Sequence, residues 1–128
     1  MALQTITMQI ELTAEASAVF TLIASPRFVP KWASGFTDRM DQSSAGQWMA
    51  TKGDRQFAMT VEVSDVSRTI DYLRDLPTGR RGGAYIRVID APQSGCVVVM
   101  TIPIAKDSNA EETSAILESE LAGLARLT

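Results

Sequence analysis

The most constraining part of this 128-residue chain is its last segment. Residues 108–127 are free of proline and rich in helix formers, and they read as one helix of about 18 residues. At about 100° per residue, Ala110, Thr113, Ile116, Leu117, Leu121, Leu124 and Leu127 fall on one face. Ser108 or Asn109 can cap the start, and Glu111 and Glu112 suit the positive end of the helix dipole. A helix with one apolar face must bury it, so the rest of the chain has to supply a surface that receives it.

That surface is expected to be a sheet. Residues 4–12 alternate, with Ile6, Met8, Ile10 and Leu12 on one face and Thr5, Thr7, Gln9 and Glu11 on the other. Thr13 is a plausible cap for a helix carrying Ala16, Val19, Phe20 and Ile23. Ser25-Pro26 ends it, and a second short helix runs from Phe28 to Trp32 with Pro30 limiting its length. Strands then follow at 36–40, 47–51, 56–64, 69–76, 84–89 and 96–104. Polar turns separate them, among them Gln42–Gly46, Gly53-Asp54, Pro77–Gly83 and Pro92–Gly95. The expected fold class is α+β, with about seven mostly antiparallel strands, two short helices after the first strand and a long C-terminal helix. No internal repeat, low-complexity tract or linker interrupts residues 1–128, which read as a single domain.

Composition removes several chemistries. The chain has no histidine and one cysteine, so histidine-based triads, histidine-ligated zinc and thiolate metal cages are excluded; no metal or cofactor is expected. The net charge is −3 and the basic residues are scattered, which argues against nucleic acid. No apolar run approaches the roughly 20 residues that span a bilayer, and the first residues lack a signal-peptide pattern. The lone Cys96 fits a reducing compartment, so the expected location is cytoplasmic.

Four local patterns carry a resemblance across nearly the whole chain. A strand runs into Thr13-Ala14-Glu15-Ala16 and Val19-Phe20, and Phe28-Val29-Pro30-Lys31-Trp32 precedes the second strand. Thr69-Ile70-Asp71-Tyr72 is followed by Ile86-Arg87-Val88 and the strand 95–101, and Glu120-Leu121-Ala122-Gly123-Leu124 lies in the closing helix. With this element order the chain resembles the START-like, or SRPBCC, superfamily (Bet v 1-like, polyketide cyclase/dehydrase) and its helix-grip fold. The resemblance implies a curved sheet gripping the long helix around a mainly apolar cavity. Members include lipid and hormone carriers, polyketide cyclases and activators of the Hsp90 chaperone.

Under that implication Trp32, Trp48, Phe57, Met59, Tyr72, Met100, Leu117 and Leu121 are the bulky inward-facing residues expected to line the cavity. Phe28 and Phe36, with the other methionines, are further candidates, and filling a core is the alternative role for all of them. Arg74 shares a strand face with Ile70 and Tyr72 and either meets a carboxylate inside or reaches out to solvent. Glu120 falls between Leu117, Leu121 and Leu124, inside the apolar stripe, where a carboxylate should be paired, bound to a ligand or at a wet rim. Glu120 and Arg74 are therefore expected to be the polar groups of the interior, facing each other or a shared ligand end. Cys96 opens a valine-rich strand without a basic neighbour and reads as structural. Gly82-Gly83 after Arg80-Arg81 reads as a loop at the cavity mouth.

The leading functional expectation is binding of a small, mainly hydrophobic, lipid- or polyketide-like molecule. One alternative is a polyketide cyclase/dehydratase-type enzyme in which Glu120, Tyr72 or Arg74 assists proton transfer. The other is an interaction module like the chaperone activators, and a homodimer is left open.

Overall fold

The computed structural model describes residues 4–104 and 109–128, and every structural statement below concerns those residues. Seven antiparallel strands form one sheet in the order β1-β7-β6-β5-β4-β3-β2. They are β1 Thr5–Leu12, β2 Arg39–Ser44, β3 Gln47–Lys52, β4 Arg55–Ser64, β5 Thr69–Asp75, β6 Arg81–Asp90 and β7 Cys96–Pro103. Helix α1 covers Ala16–Ile23, a 3-10 turn Pro26–Phe28 leads into α2 Val29–Trp32, and α3 spans Ala110–Leu127. This is the expected α+β helix-grip arrangement. No helix is long and apolar enough to cross a membrane.

Register explains the core. Antiparallel partners share a sheet face, and the pairs Trp48–Met59, Val61–Tyr72, Ile70–Ile86, Ile86–Met100 and Met8–Met100 place the apolar residues of six strands on one side. Val19, Phe20 and Ile23 of α1 and Leu117, Leu121 and Leu124 of α3 join the same buried cluster. Tyr72 donates its hydroxyl hydrogen to the carbonyl oxygen of Ile23. A strand thereby satisfies an orphan acceptor at the end of α1. Asn109 caps α3 by accepting from the backbone N–H groups of Glu111 at 2.8 Å and Glu112 at 3.3 Å; Ser108, the other candidate cap, lies outside the described residues.

Several local expectations are corrected. Glu15, not Thr13, stands at the cap position of α1, and its carboxylate instead accepts from the backbone N–H of Gly95 at 3.3 Å. The second strand is Arg39–Ser44 rather than 36–40, and residues expected in a turn pair with β3. As an edge strand with exposed Asp41, Gln42 and Ser44, β2 needs no apolar alternation to form. Gly82-Gly83 belongs to β6, opposite Arg74 and Leu73, and is not a mouth loop. At Gly83, with φ of 146°, a Cβ would sit 1.9 Å from the Tyr72 carbonyl oxygen, so only glycine lets the strands approach there. On α3, Ile116 and Leu127 are 49% and 43% exposed, because the buried arc is shifted towards Glu120 and Gly123.

That shift has one cause. Helix α3 packs against both β1 and α2, and at Gly123 a Cβ would stand 2.4 Å from the Trp32 carbonyl oxygen. An exposed mid-helix Gly→Ala change ordinarily stabilises a helix by about 1 kcal/mol. Here the sign reverses: Gly123→Ala is expected to destabilise the protein by roughly 1–3 kcal/mol through overpacking. Urea unfolding checks this, and a stabilised G123A would show that the two backbones are not in contact.

Candidate functional site

The described residues hold an apolar cleft of about 220 Å³ between Ala33–Gly35 and the α3 face formed by Ala115, Ile116, Ser119 and Glu120. Its loop wall begins where α2 ends and is held from outside. Lys52 Nζ donates to the Ser34 carbonyl oxygen at 2.9 Å and to Asp38 Oδ1 at 3.1 Å, while Asp38 Oδ2 accepts from the backbone N–H of Gly53 at 2.8 Å. That backbone hydrogen bond, then Lys52, holds the Asp38 carboxyl below its ordinary range. The loop is therefore tied to the β3–β4 turn and offers a fixed wall.

Among the described residues Glu120 is the ionisable group of this cleft, whose lining also includes Ser34 and Ser119. It is only 8% exposed, and none of the ion pairs among the described residues involves it. Burial pushes its carboxyl up to about 7. Desolvation acts alone on it, which is how a buried acid behaves when no cation or donor meets it. On the facing helix, Trp32 Nε1 is buried without a hydrogen-bond partner, an uncommon state for a buried polar atom. A second cleft, of about 80 Å³ and involving Gln47, Thr60, Leu73 and Arg81, is much smaller. Leu73 is buried there although it lies on the sheet face opposite the core.

Most sequence-derived candidates come together, but as packing. Trp32, Trp48, Met59, Tyr72, Met100, Leu117 and Leu121 form one buried cluster, with Phe57 packed against it. At 0% exposure Met100 and Leu117 border no space that a water molecule can enter. At those two positions packing stands where the resemblance implied a cavity. Phe28 is exposed, with Lys31 Nζ 5.5 Å from its ring centre. Arg74 is corrected as an interior group: near the end of β5 its side chain turns to solvent and its guanidinium lies 5.5 Å from the Phe57 ring centre. Phe57 in turn meets Phe36 edge-on at 5.4 Å. No ion pair joins Arg74 to Glu120 among the described residues. Sequence reasoning found Glu120 but missed Ala33, Ser34, Gly35, Ala115 and Ser119. Their only signal was smallness: three small residues in a row after Trp32, and two more four apart on α3.

No protein-family model matches the chain. A comparison with curated proteins gave no match either. Solved structures do resemble it. The di-domain ARO/CYC BexL from the BE-7585A biosynthetic pathway aligns over 97% of this chain at TM-score 0.74 and 17% identity. The chain spans 46% of BexL, just under half its length. The protein XoxI from Bacillus cereus matches at TM-score 0.75 and 18% identity, over 98% of this chain and 95% of its own. A START superfamily protein from Mycobacterium smegmatis matches at TM-score 0.66 and 9% identity, over 96% and 92%. The chain has the START-like fold.

The state of Glu120 sets a pH dependence. The folded protein keeps this proton up to about pH 7, whereas the unfolded chain releases it near the ordinary value of 4.5. Stability is therefore undiminished below about pH 4.5, falls as pH rises to about 7 and then levels off. At 1.36 kcal/mol per pH unit the loss is about 3 kcal/mol. Glu120→Gln, neutral at every pH, is expected to be more stable than the parent by about that amount near pH 8 and nearly equal to it near pH 4. Urea unfolding at both pH values measures this, and an E120Q variant no more stable at pH 8 would mean that water solvates the carboxylate.

Proposed function

We propose that the protein binds a small, mainly apolar molecule in the cleft between Ala33–Gly35 and α3, with Glu120 as the group that orients it. The observation that carries this reading is a carboxyl 8% exposed, without an ion-pair partner among the described residues, in the wall of a mainly apolar cleft. Burying such a group costs stability, and proteins retain that cost mainly at sites that use the group. The START-like fold supports the reading, since structures sharing it include di-domain ARO/CYC proteins. At about 220 Å³ the cleft lies below the roughly 300–1,000 Å³ of sites that enclose drug-sized ligands. It suits a compact molecule, or one end of a longer lipid- or polyketide-like chain whose remainder stays outside.

One observation also favours an enzymatic version. A carboxyl raised to about 7 can both give and take a proton near neutrality, the property a general acid–base needs. In that version Glu120 transfers a proton to or from the bound molecule, while Tyr72, whose phenol burial pushes up and whose hydroxyl is engaged by Ile23, takes no part.

Binding is tested by titrating labelled protein with compact apolar compounds bearing neutral, cationic or anionic heads and following the amide NMR signals. Shifts are expected at residues 33–35 and 115–120. Ala115→Leu, at an exposed position of the cleft wall, should abolish them without lowering the melting temperature. If no compound moves these signals, or if A115L binds as the parent does, the cleft is not the binding site.

A further inference from the structure

We infer that the ligand of this cleft is a small apolar amine whose ammonium group pairs with Glu120, an inference that rests on the cleft being the binding site. Three kinds of head group compete for the position. Once Glu120 is ionised an anionic head would bring a second negative charge against it, and among the described residues no lysine or arginine lines the cleft. Lys52 Nζ, which holds the loop wall, is already engaged by the Ser34 carbonyl oxygen and Asp38. A neutral head completes the desolvation of Glu120 and returns only uncharged hydrogen bonds, to the carboxyl or to the hydroxyls of Ser34 and Ser119. An ammonium head turns that desolvation into a charge-assisted hydrogen bond in a water-poor site, roughly twice as strong as a neutral one. Ala33, Ala115 and Ile116 then receive the apolar body.

The charged groups around the cleft agree with a cation. On α3, Glu111, Glu112 and Glu118 are exposed and acidic, and the single basic residue, Arg126, lies in the last turn away from the cleft. From α2, Lys31 lies over the Phe28 ring, and just before α2 Arg27 lies over Trp48 at 5.3 Å. From β1, Glu11 is exposed on the strand face opposite the core. From the loop, Asp38 is paired with Lys52. None of these groups shifts Glu120, whose proton is governed by burial alone. Affinity for an amine should therefore follow one ionisation.

The test compares benzylamine, benzyl alcohol and phenylacetate, three compounds with one ring and different heads, by NMR titration of the parent and of Glu120→Gln. Benzylamine is expected to bind most tightly and to gain about tenfold in affinity between about pH 6 and about pH 8, as a carboxyl near 7 ionises. Glu120→Gln should remove both the pH dependence and the preference for the amine. A cleft that binds the alcohol or phenylacetate at least as well as the amine overturns the amine assignment and leaves the cleft as the binding site. An amine that binds E120Q with unchanged affinity does the same. Silence of residues 33–35 and 115–120 towards all three compounds overturns both.

Discussion

Helix α3 touches α2 backbone to backbone, with the Trp32 carbonyl oxygen lying where a side chain at position 123 would begin. Everything that distinguishes this molecule depends on that contact. It fixes how deep α3 sits, so that Leu117, Leu121 and Leu124 reach the sheet core. It also draws in Glu120, three residues earlier on the same side of the helix. Each fully buried leucine contributes about 1.5–3 kcal/mol. Three of them outweigh the roughly 3 kcal/mol that holding one desolvated carboxyl costs at neutral pH. The helix can therefore keep a strained acid without leaving the sheet.

How legible this was depended on the kind of contact. Side-chain alternation revealed the strands because register and burial repeat every second residue, and β1 reads almost the same in the sequence and in the structure. The α3 stripe was legible where leucines carry it. It misplaced Ile116 and Leu127 because a wheel weighted by apolar bulk is blind to Gly123, which buries its face by having no side chain. The same blindness hid Gly82-Gly83 inside β6 and the cleft walls of alanine, serine and glycine. Edge strand β2 was misplaced because nothing in Asp41–Ser44 must be buried. Arg74 lay on the predicted face, but the end of β5 lets a long side chain escape to solvent over Phe57.

The three functional expectations weigh differently once the packing is known. Met100 and Leu117, two of the residues expected to line an enclosed cavity, border no space. The free volume has moved to the flank, where α3 meets the loop after α2. There one acid faces small apolar walls, which suits recognition of a compact molecule better than orientation of a long reactive chain. An interaction module would be expected to show a contiguous exposed apolar patch. The exposed large apolar residues are Phe28, Val63, Val66, Ile89, Ile116 and Leu127, of which Ile116 lines the cleft itself.

The sheet is open, and its two ends are β1 and β2. An unpaired strand edge is a template on which a second molecule can add its own strand. On β2 five of six side chains are exposed, Arg39 and Asp41 form an ion pair at 2.6 Å, and the register slips between Gln42 and Ser44. A charged, kinked edge is a poor template, because an incoming strand would have to desolvate the pair and follow the slip. The polar stretch that concealed this strand from sequence reading thereby guards that side of the sheet against fibrous self-assembly at high protein concentration.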